Sequence, residues 1–175
     1  MSEKTKWRDK KFDFSFPVEE YPKWIDRLRN SPGRMDALIR SLPKKVLTRR
    51  DGESWSIQEN AGHLADTEEL FIARIEDFRN KAETLAPAEM SGQKTFKSRH
   101  NENDVETVLA AFKKERATFM EAVDALPPEV FGWSAMHPRL QKPMRLCDML
   151  LFMTEHDDYH MEQIKKLIAR FMPES

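Results

Sequence analysis

Three histidines are the residues of this sequence whose type and spacing could do chemistry. His156 and His160 are four residues apart, so on a helix they share one face about one turn apart. His63 lies far upstream, where a facing helix could bring its ring to theirs. Three imidazoles can chelate one ion and leave positions open for water or substrate, as catalytic metal sites do. Alternatively, each ring is a hydrogen-bonded residue of a helical core.

The helical phase supports convergence of the three rings. At about 100° per residue, His160 falls about 40° from His156, and Met153 and Ile164 fall at about 60° and 80°. Both histidines therefore lie within an apolar stripe that faces the protein interior. His63 lies about two turns into its own helix, so the three rings reach a similar depth if the two helices are antiparallel.

The elements that must position these rings follow from apolar spacing and capping signals. Ser56, followed three residues later by Glu59, is a capping box that predicts the start of the helix carrying His63. Ser31-Pro32 predicts that the first helical region is broken into two pieces. We predict four long helices, at about 19–42, 56–80, 104–126 and 145–171.

This pattern predicts an all-α fold, a four-helix bundle without a sheet. Residues 81–102 carry no regular pattern and are long enough to cross the bundle, which favours up-down-down-up topology. Residues 1–18 are predicted to be an irregular N-terminal arm, whose aromatic rings pack on the body or bind a partner. Residues 19–175 are predicted to form a single domain.

Composition narrows the classes of partner. The net charge of −1 does not favour a nucleic-acid partner. Cys147 is the single cysteine, which fits a reducing cytoplasm. No apolar stretch approaches the roughly 18 residues that a membrane span needs, so no membrane partner is expected. An exposed bundle face could support a homodimer.

Two carboxylates could assist the histidines. Asp66, one turn after His63, could orient the free ring nitrogen of His63 or be a surface residue. Asp157 could do the same for His160 or act as a base. Glu59 is expected to serve the capping box instead.

Four other residues have competing interpretations. His100, in the 81–102 link, could meet an anionic substrate or thiol, or lie in a solvated loop. Trp55 could plug the bundle or form a platform for substrate. Cys147 is expected to be packed structure rather than a nucleophile, and His137 is expected to be a loop residue.

Two motifs resemble those of the DinB/YfiT-like superfamily over about residues 20–171. The first is Trp55-Ser56-Ile57 with Glu59 and His63-Leu64-Ala65-Asp66-Thr67-Glu68, and the second is His156-Asp157-x-x-His160. The resemblance implies a four-helix bundle in which His63, His156 and His160 bind a divalent metal. It also implies metal-dependent hydrolysis or thiol-dependent S-transfer on a small molecule.

Three imidazoles suit a divalent transition metal, with Zn or Ni the first candidates, and a low-molecular-weight thiol could be a cofactor. A non-catalytic metal-binding or stress-response bundle is the alternative to an enzyme, and a structural bundle whose histidines only form hydrogen bonds is a third.

Overall fold

Four long helices form the frame of this protein in a computed structural model that describes residues 6–173. Residues 1–5 of the predicted arm and residues 174–175 of the predicted domain lie outside the described part. The helices of the described part are α1 (Tyr21–Ile39), α2 (Lys44–Leu47), α3 (Ile57–Arg79), α4 (Gln93–Ser98), α5 (Val105–Asp124) and α6 (Leu146–Phe171). The protein is therefore mostly helical, as predicted.

Three of the long helices have the predicted bounds within a few residues, because local signals set their ends. The capping box at the start of α3 is formed: Ser56 Oγ accepts from the Glu59 N–H at 3.1 Å, and Glu59 Oε2 accepts from the Ser56 N–H at 2.8 Å. α5 ends before Pro127, as its sequence predicts.

The predicted break at Ser31-Pro32 is wrong, since α1 continues through Pro32. Proline has no N–H, so the carbonyl of Leu28, four residues earlier, loses its helical donor. Arg116 Nη1 of α5 donates to this Leu28 oxygen at 2.9 Å. Ser31 is not a cap, because its hydroxyl donates to the carbonyl of Arg27 at 3.1 Å. A tertiary contact thus compensates a local helix breaker.

The expectation of an all-α fold without a sheet is also wrong. Residues 127–144, expected to be a loop between the third and fourth long helices, contain most of an antiparallel hairpin of β1 (Ser134–His137) and β2 (Lys142–Arg145). Along β1 the side chains alternate between exposed and buried, with Ala135 and His137 turned inward. His137, expected in a loop, is the last residue of β1. Strands of four residues carry too little alternation to predict.

Two of the links between the long helices contain short helices. α2 lies in the connection between α1 and α3, and α4, followed by a 3₁₀ turn at His100–Glu102, lies in the 81–102 link. Left-handed backbone at Gly92 (φ 74°) and Arg99 (φ 51°) bounds α4. This segment packs against α3, so it is a fixed part of the structure around His63.

One buried guanidinium contacts all four long helices. Arg116 of α5 is 2% exposed and donates to Glu68 of α3 and to Asp157 of α6, in addition to Leu28 of α1. The helix α1 and the helix α3 each pack against both α5 and α6. The described part of the arm lies on this body, since Trp7, Phe12 and Phe14 pack against core residues. None of the helices within residues 6–173 has the length and apolar character to span a membrane.

Candidate metal centre

The three predicted histidines converge. His63 comes from α3, and His156 and His160 come from adjacent turns of α6. Their ring centroids are 4.7 to 5.3 Å apart, and one ring nitrogen from each lies within 4.8 Å of the others. The Nε2 atoms of His63 and His156 are 3.4 Å apart. That separation suits two nitrogens that each lie about 2.0–2.1 Å from one ion.

The opposite nitrogen of two rings is held by the protein. His160 Nδ1 donates to Asn60 Oδ1 at 2.9 Å. The amide orientation of Asn60 is set because its nitrogen donates to the carbonyls of Trp55 and Ser56, which leaves the oxygen for His160. A proton on Nδ1 leaves a lone pair on Nε2 of His160 that is free to coordinate an ion. His63 Nδ1 lies 2.9 Å from Thr95 Oγ1.

Burial keeps these rings neutral. Desolvation lowers the pKa of His63 to about 4, although the nearby Asp66 carboxylate acts in the opposite direction. Desolvation also holds the pKa values of His156 and His160 well below the usual value, and the neighbouring rings of the cluster add to this effect. Neutral imidazole is the form that coordinates metal, so protons compete little at neutral pH. The donor set fits a divalent transition metal better than Mg²⁺ or Ca²⁺.

The spacing of Asp66 allowed either a contact with the free nitrogen of His63 or a surface position, and the structure shows no contact between the two side chains. Its carboxylate instead contacts His100 Nε2 at 2.7 Å and accepts from Ser98 Oγ at 3.1 Å. The reason is that the 81–102 link folds onto α3 and delivers Thr95 to His63. Asp66 therefore anchors the segment that carries Thr95, rather than the ring itself.

Asp157 does not contact His160 either. Both of its carboxylate oxygens accept from Arg116, at 2.8 and 3.0 Å, and Asn60 takes the predicted place at the ring. The physical reason is charge, since a buried guanidinium is a stronger partner for a buried carboxylate than a neutral imidazole is. No carboxylate of residues 6–173 forms a hydrogen bond with the three-histidine cluster.

The cluster forms part of the wall of a cavity of about 680 Å³. Trp55 lines the cavity, where its ring is tilted against His63 at a centroid distance of 4.7 Å and stacks on His160 at 6.1 Å. Trp7 of the arm lies 5.0 Å from His156, on the same wall. The volume is in the range typical of small-molecule sites. The cavity is thus apolar beside the histidines and large enough for a substrate.

His100 neither faces the cavity nor lies in a solvated loop, which were the two predicted positions. It is buried rather than solvated, and it does not line the cavity, because Asp66 and the backbone of Gly62 enclose its ring. The prediction for Cys147 is confirmed: it is fully buried, and burial raises its pKa to about 11, which makes it a poor nucleophile.

Four residues around the site escaped the sequence analysis: Asn60, Thr95, Arg74 and Arg139. Asn60 lies three residues before His63 and Arg74 lies eleven after it, so both share the face of α3 that carries the histidine. That spacing was a usable signal. Thr95 and Arg139 had none, because both lie in links whose fold depends on distant contacts.

The fold and the site define a helical protein with a three-histidine centre in a cavity. The family model of the DinB superfamily matches residues 27–164, so the chain belongs to this superfamily, as its motifs predicted. No curated protein gave a significant sequence match.

Two solved structures share the fold. YfiT from Bacillus subtilis, described as a probable metal-dependent hydrolase with an unusual four-helix bundle topology, matches with a TM-score of 0.76 and 20% identity over 93% of both chains. The mycothiol-dependent maleylpyruvate isomerase matches with a TM-score of 0.64 and 10% identity, over 89% of this chain and 67% of that one. At these identities the likeness shows the fold alone.

Proposed function

We propose that the protein binds one divalent transition-metal ion through His63, His156 and His160 and acts as a metal-dependent enzyme on a small molecule. The reaction we favour is hydrolysis or thiol-dependent S-transfer. One observation carries the proposal: three neutral imidazoles converge at the wall of a cavity of about 680 Å³. The fold shared with a probable metal-dependent hydrolase and a mycothiol-dependent isomerase supports it.

Zn and Ni are the metals we propose, because neutral imidazoles suit both. A bound ion would supply Lewis acidity that lowers the pKa of a water or thiol in the cavity. Asn60 fixes the proton of His160 on Nδ1, and Thr95 holds His63 on its side away from the cluster. Trp7 and Trp55 shield the rings from bulk water, which strengthens polar interactions in the site.

We also propose the up-down-down-up order for the four long helices. Contacts at two levels along a helix pair indicate its relative direction. Between α3 and α6 the contacts are Asn60–His160 and Phe71–Phe152. Between α3 and α5 they are Gln58–Asn103, just before α5 begins, and Glu68–Arg116, within α5. They support antiparallel α3 and α6, and parallel α3 and α5.

A metal-binding protein without catalysis is the second candidate. It is favoured by the absence, among residues 6–173, of a carboxylate hydrogen-bonded to the histidine cluster that could act as a base. A small-molecule substrate, a homodimer, the lack of a nucleic-acid partner and a cytoplasmic location stay predictions.

Metal content tests the site. Untagged protein is stripped with a chelator, incubated with Zn or Ni, desalted and measured by elemental mass spectrometry. We expect about one ion per chain, lost in His63→Ala and His160→Ala. His137→Gln, at a buried histidine outside the cluster, should keep its metal. Unchanged stoichiometry in His160→Ala would reject the site.

Thiol binding separates the enzyme from the idle metal protein. Cobalt-loaded protein is titrated with cysteine and followed by its visible absorption. A thiolate-to-metal band that saturates would show an accessible coordination position and support the enzyme. An unchanged spectrum at all cysteine concentrations would favour a non-catalytic metal protein.

A further inference from the structure

Two guanidinium groups line the same cavity as the three histidines, away from the cluster. Arg74 of α3 is 1% exposed, and Arg139 lies in the turn between β1 and β2. The Nη2 atom of each is buried, and no residue of the described chain accepts a hydrogen bond from either. Buried donors of a charged group are costly to leave unpaired, so their position calls for an explanation.

Neutral groups of the protein satisfy only part of this pair. Arg74 Nε donates to the carbonyl of Ala86 at 2.9 Å, and Arg139 Nη1 donates to the carbonyl of Arg8 at 3.0 Å. Within residues 6–173, no carboxylate oxygen lies close enough to either guanidinium, within 4.0 Å, to form a salt bridge. Asp77 is near Arg74, but its Oδ2 accepts the N–H of Ala86.

Arg116 shows how this protein treats a guanidinium that serves structure alone. It is equally buried, but it is paired with Glu68 and Asp157. Arg74 has no such partners. Burial, together with the charge of Arg139, lowers its pKa to about 10, although the nearby Asp77 acts in the opposite direction. Arg74 still carries its charge at neutral pH, so two cations share one end of the cavity, and no carboxylate within residues 6–173 forms a salt bridge with either.

His137 directs a further donor at the same place. Its Nδ1 accepts the N–H of Leu140 at 3.1 Å, and burial, with nearby Arg74 and Arg139, lowers its pKa to about 4. A neutral ring with an accepting Nδ1 carries its proton on Nε2. With this tautomer Nε2 is a donor, and it lies 3.4 Å from the Arg74 Nη1 donor, so one oxygen in the cavity can accept from both.

The donors lie along one cavity wall with the histidine centre. His63, Thr67, Phe71 and Arg74 all line the cavity from one face of α3. Arg74 lies eleven positions after His63, which is about three turns, or roughly 16 Å of helix. Phe71 and Phe152 lie between the two ends, with their rings 6.4 Å apart. The cavity thus offers a cationic end, an apolar middle and an imidazole end.

We propose that Arg74 and Arg139, with His137, bind the carboxylate or phosphate group of the substrate. The substrate class is then an anionic small molecule with an apolar segment between its anionic group and its reacting centre. As a substrate subsite this rests on the proposed function, since the reacting centre would lie at the histidines. Guanidinium groups form charge-assisted hydrogen bonds with either anion, and these are stronger than neutral ones.

Anion binding to metal-stripped full-length protein tests the proposal by isothermal calorimetry and thermal shift at low ionic strength. The probes are inorganic phosphate and succinate, with succinamide as the neutral control. We expect saturable binding of at least one anion, weakened roughly 10- to 100-fold in Arg139→Gln. The tighter of the two anions identifies the group. Arg79→Gln, at an exposed arginine of α3, should bind like the parent.

Stability separates binding from a structural role. Arg139→Gln removes a like charge beside Arg74, so we expect an unchanged or higher Tm without anion. If Arg74→Gln does not fold, Arg139→Gln alone carries the test. Equal affinity in the parent and Arg139→Gln, or no saturable binding of either anion, overturns the proposal. Because anion binding is measured on metal-free protein, the two proposals can fail separately. Anion binding by a protein that takes up no metal would reject the proposed function and keep the anion site. Metal uptake by a protein that binds no anion would keep the proposed function and reject the anion site.

Discussion

Gly62 and His100 are in direct contact across the interface between α3 and the link that follows it. A Cβ atom on Gly62 would lie inside the van der Waals distance of the His100 ring. The ring is held there by Asp66, and the same link carries Thr95 to His63. The missing side chain of one helical glycine therefore determines how close the link can pack beside the metal centre.

Gly62→Ala should destabilise the protein by about 1–3 kcal/mol, because the His100 ring must move. This loss exceeds the gain of about 1 kcal/mol that alanine brings to a helix interior. Gly33→Ala in α1 is the matched control, since nothing lies within 4 Å of its added Cβ, and it should stabilise. Urea unfolding measures both. A stabilised Gly62→Ala would show that the link can adjust freely.

Asn60→Ala should weaken metal affinity by roughly 10- to 100-fold, because His160 loses the acceptor that keeps its proton on Nδ1. Competition with a chelator measures the effect. Asn30→Ala, at an exposed asparagine of α1, should retain the parent affinity. Asp66→Asn should affect metal affinity less than Asn60→Ala, since Asp66 contacts His100 rather than a ring of the cluster. The opposite order would contradict this account.

Arg116→Met should cost about 3–5 kcal/mol, because two buried carboxylates and the free carbonyl of Leu28 lose their common partner. Arg40→Met, which breaks an exposed pair with Asp36, should cost far less, because water screens a surface pair. Thermal and urea unfolding distinguish the two. Similar losses in both variants would show that the buried network contributes no more than a surface pair.

Glu68 should make stability depend on pH. Burial raises its pKa to about 7, although Arg116 opposes this. The folded state therefore binds the Glu68 proton more tightly than the unfolded state does. The stability that this proton contributes is fully present below about pH 4.5 and is lost as the pH rises to about 7. Relative to the parent, Glu68→Gln should gain stability across that window.

The measurement is the difference in unfolding free energy between the parent and Glu68→Gln from pH 4 to pH 8. Glu69→Gln is the control, because Glu69 is an exposed neighbour and its pair with Lys94 lies at the surface. A difference that does not change with pH would mean that Glu68 stays ionised in the folded protein.

Local signals account for what could be predicted. The histidine pair of α6 and the capping box of α3 depend on residues three or four apart, and helical geometry alone places them. The same geometry would have indicated Asn60 and Arg74, which share the face of His63. The three-histidine cluster was predictable because two of its members lie on one element.

The tertiary structure decided the features that join distant residues. Pro32 lies within α1 because Arg116, 84 residues away, satisfies the carbonyl that proline leaves free. Asp66 pairs with His100 rather than with His63, because the 81–102 link folds back onto α3. Arg74 and Arg139 line the same cavity, because the hairpin also folds back onto α3. Spacing along the chain determines which residues lie together on one face of a helix. The residues that a side chain contacts on another element depend on how the separate elements pack.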